Sequence, residues 1–278
     1  MKVRLLTAAG IFVIGLPLLL LSEYIIYPIA LGILALIAVF EILRAIKQHR
    51  EYFLSIPAYI IALLLPIFAH SYFVPANRQK AYVLVIALTL FGYLMWLAGC
   101  AVLSRGRITF DNLAKVFAAV TYVTVSFTSL SLIRYMDGGV FFFGLVFVSA
   151  WMCDTFAYFT GMLFGKHKLA PELSPKKTVE GSIGGVAFAI IGCMLYGLIV
   201  ELTNPIDANY PVLAVTGLLL SVVAQIGDLF ASLIKRENGI KDYSKLLPGH
   251  GGIMDRFDSI LAVSTALLAI CFLIPPLT

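Results

Sequence analysis

Apolar runs of roughly 20 residues recur along nearly the whole chain, and a helix of about that length spans the hydrocarbon core of a bilayer. Nine runs stand out: Leu5–Leu21, Tyr24–Leu43, Phe53–Phe73, Tyr82–Leu103, Leu113–Ile133, Gly139–Phe164, Ser182–Glu201, Pro211–Ile234 and Ser259–Leu277. Backbone polar groups cannot go unpaired against lipid, so each run is expected as a helix. The expected fold is all-α, a polytopic membrane bundle of about nine transmembrane helices, the long sixth with room for a bend or break. Charged residues make up only 13% of the chain against 61% hydrophobic. A soluble domain carries about 25% charged residues, so a soluble globular fold is excluded. The first run has the charge and length of a signal peptide but no clear small-x-small cleavage site, and is read as a retained helix. Cys100, Cys153, Cys193 and Cys271 all fall in apolar runs without CxxC spacing. They read as small buried residues rather than disulfide or zinc ligands.

The net charge is +5. In a soluble protein that would suggest nucleic acid, but here the cations sit at helix ends and orient the chain. Sixteen of the 20 Lys and Arg residues fall at the N-terminus or after the second, fourth, sixth and eighth runs. That side is expected to be cytoplasmic, with the N-terminus inside and no nucleic-acid partner. Polar residues within the runs are sparse before residue 135 and crowded after it. Residues 1–135 are therefore read as a scaffold of about five helices. Residues 136–278 are read as the catalytic region, with cytosolic loops at 165–181 and 235–258. Glu41 and Arg44, three apart on one helix end, read as a surface pair.

Chemistry concentrates between Ser232 and Asp258. Asp228, six residues before the inner end of its run, lies roughly 9 Å deep at 1.5 Å rise per residue. A carboxylate there needs a cation, a donor or water; it reads as a metal ligand, or as a structural bond to a neighbouring helix. Asp255 and Asp258 share a helix face, as two acids of a magnesium site would, or they cap the helix that follows. Gly249, Gly251 and Gly252 around His250 permit a backbone nest whose N–H groups face an anion. Lys235 and Arg236 read as phosphate ligands or as ordinary snorkelling cations. Lys176 and Lys177 precede a helix N-terminus, a place that suits polyphosphate, though charge at the membrane surface explains them too. Asp154, deeper in its run, either enters the polar cavity or bridges helices.

These residues resemble the signature of the phosphatidate cytidylyltransferases (CDP-diacylglycerol synthases), S-x-[apolar]-K-R-x4-K-D-x-[small]-x2-[apolar]-P-x-H-G-G-[apolar]-x-D-R-[apolar]-D. Ser232, Lys235, Arg236, Lys241, Asp242, Ser244, Pro248, His250, Gly251, Gly252, Asp255, Arg256 and Asp258 fill every fixed position. The D-x2-AY-x2-G-x3-GK pattern from Asp154 to Lys166 and the SPKKT-x-EG stretch from Ser174 to Gly181 are also similar to the family. The close resemblance runs from about Trp151 to Ser259; the N-terminal half matches in hydropathy and length. It implies an integral membrane enzyme, often a homodimer among its lipids, that joins CTP and phosphatidate into CDP-diacylglycerol and pyrophosphate. It also implies Mg2+, with K+ beside it, and places Asp228, Asp255 and Asp258 around the metals. The expected location is a bacterial inner membrane, with the active site on the cytosolic side.

On that reading a phosphatidate oxygen attacks the α-phosphorus of CTP. The nucleophile is already anionic, so positioning and charge neutralisation carry the rate. Lys176, Lys177, Lys235, Arg236, Lys241 and Arg256 are the candidate cations, and Asp242 holds Lys241 or Arg236. The rival readings are a CTP-dependent polyprenol or phytol kinase, a CDP-archaeol synthase, and an ion-coupled transporter using Asp154 and Asp228 as a relay.

Overall fold

The computed structural model of the protein describes residues 21–70, 74 and 78–277. The first apolar run, apart from Leu21, and the N-terminal Lys2 and Arg4 lie outside the described residues. Among those described, eight helices form: α1 (Ile26–Ala45), α2 (Tyr52–Phe68), α3 (Gln79–Leu103), α4 (Phe110–Arg134), α5 (Gly139–Phe164), α6 (Val179–Thr203), α7 (Tyr210–Glu237) and α8 (Met254–Leu273). All but α2 are long and apolar enough to cross a membrane, as a polytopic all-α membrane protein requires. Helix α5 is continuous over the whole expected run and contains no proline. Helix α8 starts five residues earlier than its apolar run, because Asp255 and Asp258 belong to its first turns. A short antiparallel hairpin, β1 (Lys168–Ala170) with β2 (Ser174–Thr178), stands in the loop before α6. The SPKKT stretch thus enters α6 from a strand.

The chain divides into two compact units, Met1–Tyr135 with Glu237–Arg256, and Met136–Arg236 with Phe257–Thr278. In the first unit α1, α2 and α4 pack against one another, and α3 lies on α2 and α4. Its core is aliphatic and tight: Ala35, Ala38, Val39, Ile42, Leu54, Ala58, Ala62, Val120, Val123 and Phe127 have no exposed surface. Leu88 and Phe91 of α3 point outward, as lipid-facing side chains would. Helix α2 carries Pro57 and Pro66. Pro57 has no N–H to give the carbonyl four residues back, and in lipid that carbonyl needs another donor. The indole Nε1 of Trp96, on α3, donates to it, the Phe53 oxygen, at 2.8 Å.

In the second unit α5 packs along α6, and small residues set how closely. Thr178 caps α6 by accepting the Gly181 N–H at 3.1 Å. A Cβ added at Gly185 would sit 2.8 Å from the Cys153 carbonyl oxygen and 3.0 Å from the Ala157 Cβ. The backbones approach where only hydrogen stands between them, as small-residue interfaces in membranes allow. Replacing Gly185 with Leu is expected to cost about 1–3 kcal/mol, the usual range for overpacking. A lowered unfolding temperature in detergent, followed by size exclusion, would show it.

Candidate functional site

Four elements of the second unit bring polar side chains to one place. Helix α5 contributes Asp154, β2 contributes Lys177, α7 contributes Asp228, and α8 contributes Asp258 and Ser259. Lys177 forms an ion pair with Asp228; both side chains are about three-quarters covered, at 27% and 28% exposed. Ser259 donates its hydroxyl to Asp154 at 3.2 Å, and its N–H goes to Asp258 Oδ1 at 2.9 Å. Asp258 feels the charges of Asp228, Asp154 and Lys235, while Asp154 feels those of Asp228 and Lys177. Three carboxylates thus share one neighbourhood with two lysines. Lys235 and Ser232, on the same stretch of α7, are each only 9% exposed. Lys235 is therefore enclosed beside an acid rather than snorkelling. Lys176 is exposed on β2, and Arg236 reaches back to the Leu173 carbonyl at 3.3 Å.

Two further sets of bonds support the elements that carry these side chains. Ser182 of α6 donates to the Gln225 side chain of α7, and Gln225 returns a bond to the Ser182 carbonyl at 3.4 Å. Glu180 accepts from the Lys166 and His167 amides at 3.1 and 3.2 Å and contacts His167 Nδ1 at 2.6 Å. It closes the base of the hairpin that presents Lys177.

Asp255 and the glycine loop belong to the first unit, where the arrangement differs from the expected phosphate nest. Gly249 and Gly251 have φ of 78° and 84°, a backbone that only glycine adopts without strain. The resulting turn aims its amides inward. His250 and Gly251 donate to the Leu247 carbonyl at 2.8 and 3.1 Å. The Gly252 N–H goes to Asp255 Oδ2 at 2.9 Å, and the Tyr243 N–H goes to the same oxygen at 2.8 Å. Asp255 reaches back three residues as the acid of a capping box does. The next two amides, Ile253 and Met254, donate to Glu41 of α1 at 3.2 and 2.9 Å. The turn's amides are therefore taken up by the chain itself, by the Leu247 carbonyl and by the carboxylates of Asp255 and Glu41. The surface pair expected of Glu41 and Arg44 is overturned: Glu41 is 2% exposed, and Arg44 donates to the Tyr243 carbonyl at 2.7 Å. His250 Nδ1 is buried without a hydrogen-bond partner, and Lys241, Asp242 and Arg256 are exposed.

Among the described residues no three His, Cys, Asp or Glu side chains stand together as a complete metal cage. Magnesium does not need one. It usually takes one or two carboxylates and fills its octahedron with water and substrate phosphate oxygens. Asp228 and Asp258 are hard oxygen donors that act on each other electrostatically, and they fit that demand. Asp255, with one oxygen already accepting two amides, fits it less well.

The Cytidylyltransferase family model matches residues 2–274. A phosphatidate cytidylyltransferase of Staphylococcus epidermidis is 38% identical over 264 residues, covering 95% of this chain and 96% of its own length. The Bacillus subtilis protein of the same name is 35% identical over 268 residues, covering 95% and 94%. That of Staphylococcus aureus is 38% identical over 268 residues, covering 95% and 96%.

Proposed function

The chain belongs to the cytidylyltransferase family, and from that premise we propose that it transfers the cytidylyl group of CTP to phosphatidate, giving CDP-diacylglycerol and pyrophosphate. A phosphatidate oxygen forms a bond to the α-phosphorus of CTP, the α–β phosphoanhydride bond breaks, and pyrophosphate carries the electron pair away. Both reactants are anions, so the barrier is largely repulsion, and fixed charge in a shielded site lowers it. The observation that carries this reading is the cluster of Asp154, Asp228 and Asp258 with Lys177 and Lys235, borne mainly by apolar helices of the second unit. Lys177 and Lys235 belong to that cluster and are the cations placed to hold a phosphate within it. Arg236 and Lys176, more open, meet the nucleotide from outside. Ser259 orients Asp154 and, through its amide, Asp258.

We assign Mg2+ to Asp228 and Asp258; bound there, it would neutralise phosphate oxygens as charge builds on the leaving group. K+, which the resemblance also implies, would draw on the same acidic neighbourhood, where Asp154 would offer a further carboxylate oxygen. We place the cluster at the cytosolic face of the plasma membrane, on the strength of the basic bias of the loops on that side.

Labelled nucleotide tests the reaction. With purified protein and phosphatidate, α-labelled CTP is expected to mark the lipid and γ-labelled CTP to leave it unmarked. The reverse pattern would identify a lipid kinase. Chelation of divalent ions should stop product formation and added Mg2+ should restore it; full turnover in chelator would remove the metal from the proposal.

A further inference from the structure

Glu41 is a buried carboxylate 203 residues from its first partner in the chain, and every bond the structure gives it ends on the signature loop. Its Oε1 accepts the Ser244 hydroxyl at 2.5 Å and the Ile253 N–H at 3.2 Å; its Oε2 accepts the Met254 N–H at 2.9 Å. One turn further along α1, Arg44 holds the Tyr243 carbonyl. The loop adapts in return: a Cβ at Gly252 would lie 2.5 Å from both Glu41 oxygens. Three donors on one shielded carboxylate make a strong anchor, because charge-assisted hydrogen bonds are the strong ones. A buried amide left without its acceptor is costly.

We infer that Glu41, supported by Arg44, is a positioning residue for the reaction: α1 fixes the conformation of the Tyr243–Met254 loop and the start of α8. This rests on the cytidylyl-transfer reading for its catalytic part and on geometry alone for its anchoring part. Glu41 touches no reacting group. It acts by holding Ser244, Gly252, Ile253 and Met254, and so the backbone from which α8 sets out. Gln is the informative replacement. It keeps the volume, but whichever way round it sits its amide nitrogen would turn a donor toward a backbone N–H, that of Ile253 or that of Met254.

The test pairs hydrogen exchange with kinetics on the full chain in nanodiscs. Glu41→Gln is expected to speed amide exchange in the segment containing Ile253 and Met254, with exchange in α6 unchanged. It is expected to lower kcat about 10²-fold, as a small misplacement of catalytic parts can, while KM for CTP changes by less than about threefold. Ser244→Ala, which removes one of the three donors, should move both readouts in the same direction by less; it stands in if Glu41→Gln fails to fold. Unchanged exchange at Ile253 and Met254 would overturn the anchor. Faster exchange with wild-type kcat would overturn the positioning role. Should the wild-type protein make no CDP-lipid, the exchange result would still decide the anchor, so the two failures are distinct.

Discussion

Asp258→Asn and Asp228→Asn are each expected to lower turnover about 10²- to 10³-fold, the range typical of removing a key electrostatic group, while the protein inserts and purifies normally. Asp258 sits among Asp228, Asp154 and Lys235, and Asp228 is paired with Lys177. Loss of either carboxylate removes half of the oxygen pair assigned to Mg2+. The residual activity should require more Mg2+ for half-saturation. Asp255→Asn should behave differently. Its carboxylate oxygen accepts the Tyr243 and Gly252 amides, so the expected effect is a loosened loop and a lower unfolding temperature, with the Mg2+ requirement of the remaining activity unchanged. Near-wild-type turnover in both Asp228 and Asp258 variants would end the metal assignment.

Lys177→Ala is expected to lower kcat/KM for CTP about 10²-fold, because an electrostatic contact to the triphosphate and the resident partner of Asp228 vanish together. The same replacement at Lys176, which is exposed on the neighbouring position of β2, should change it less than about threefold, as surface charges generally do. A strand alternates its side chains between two faces, so consecutive lysines of SPKKT point opposite ways. Initial rates against CTP concentration for the two variants would show the split. Equal losses at both positions would overturn the split, and unchanged CTP dependence at both would return the pair to a general role in membrane orientation.

The membrane helices were legible because run length and hydropathy alone decide them; α5 matches its run end to end. The acids Asp154 and Asp228 were legible because a carboxylate inside an apolar run is costly and needs a reason, and Asp258 because it follows Asp255 by three at the entry to the last run. Glu41 was not. It has a cation three residues away in Arg44, which offers a sufficient local explanation, and its true partners are 203 to 213 residues distant. The glycine loop was half legible. Glycines around His250 announce a turn with inward amides, but the amides do not say which anion they meet. Spacing of three put Asp255 and Asp258 on one helix face. It could not show that Asp255 would be drawn back onto the Gly252 amide at the helix start, whereas Asp258, one turn on, is left to the cluster. The β-hairpin escaped because its two strands are short and one begins Ser-Pro, a pattern that reads as a turn.

The bond from Trp96 to the carbonyl freed by Pro57 has a practical use. The chain has two tryptophans; Trp96 lies in one compact unit and Trp151 in the other. Replacing either with Phe leaves a single tryptophan, whose selectively excited emission reports on one unit alone. With Trp96 retained, its emission would follow the separation of α2 from α3 during melting, since that indole's proton is held by the Phe53 oxygen. Denaturation curves from the two single-tryptophan proteins would then reveal whether the halves come apart together or in sequence.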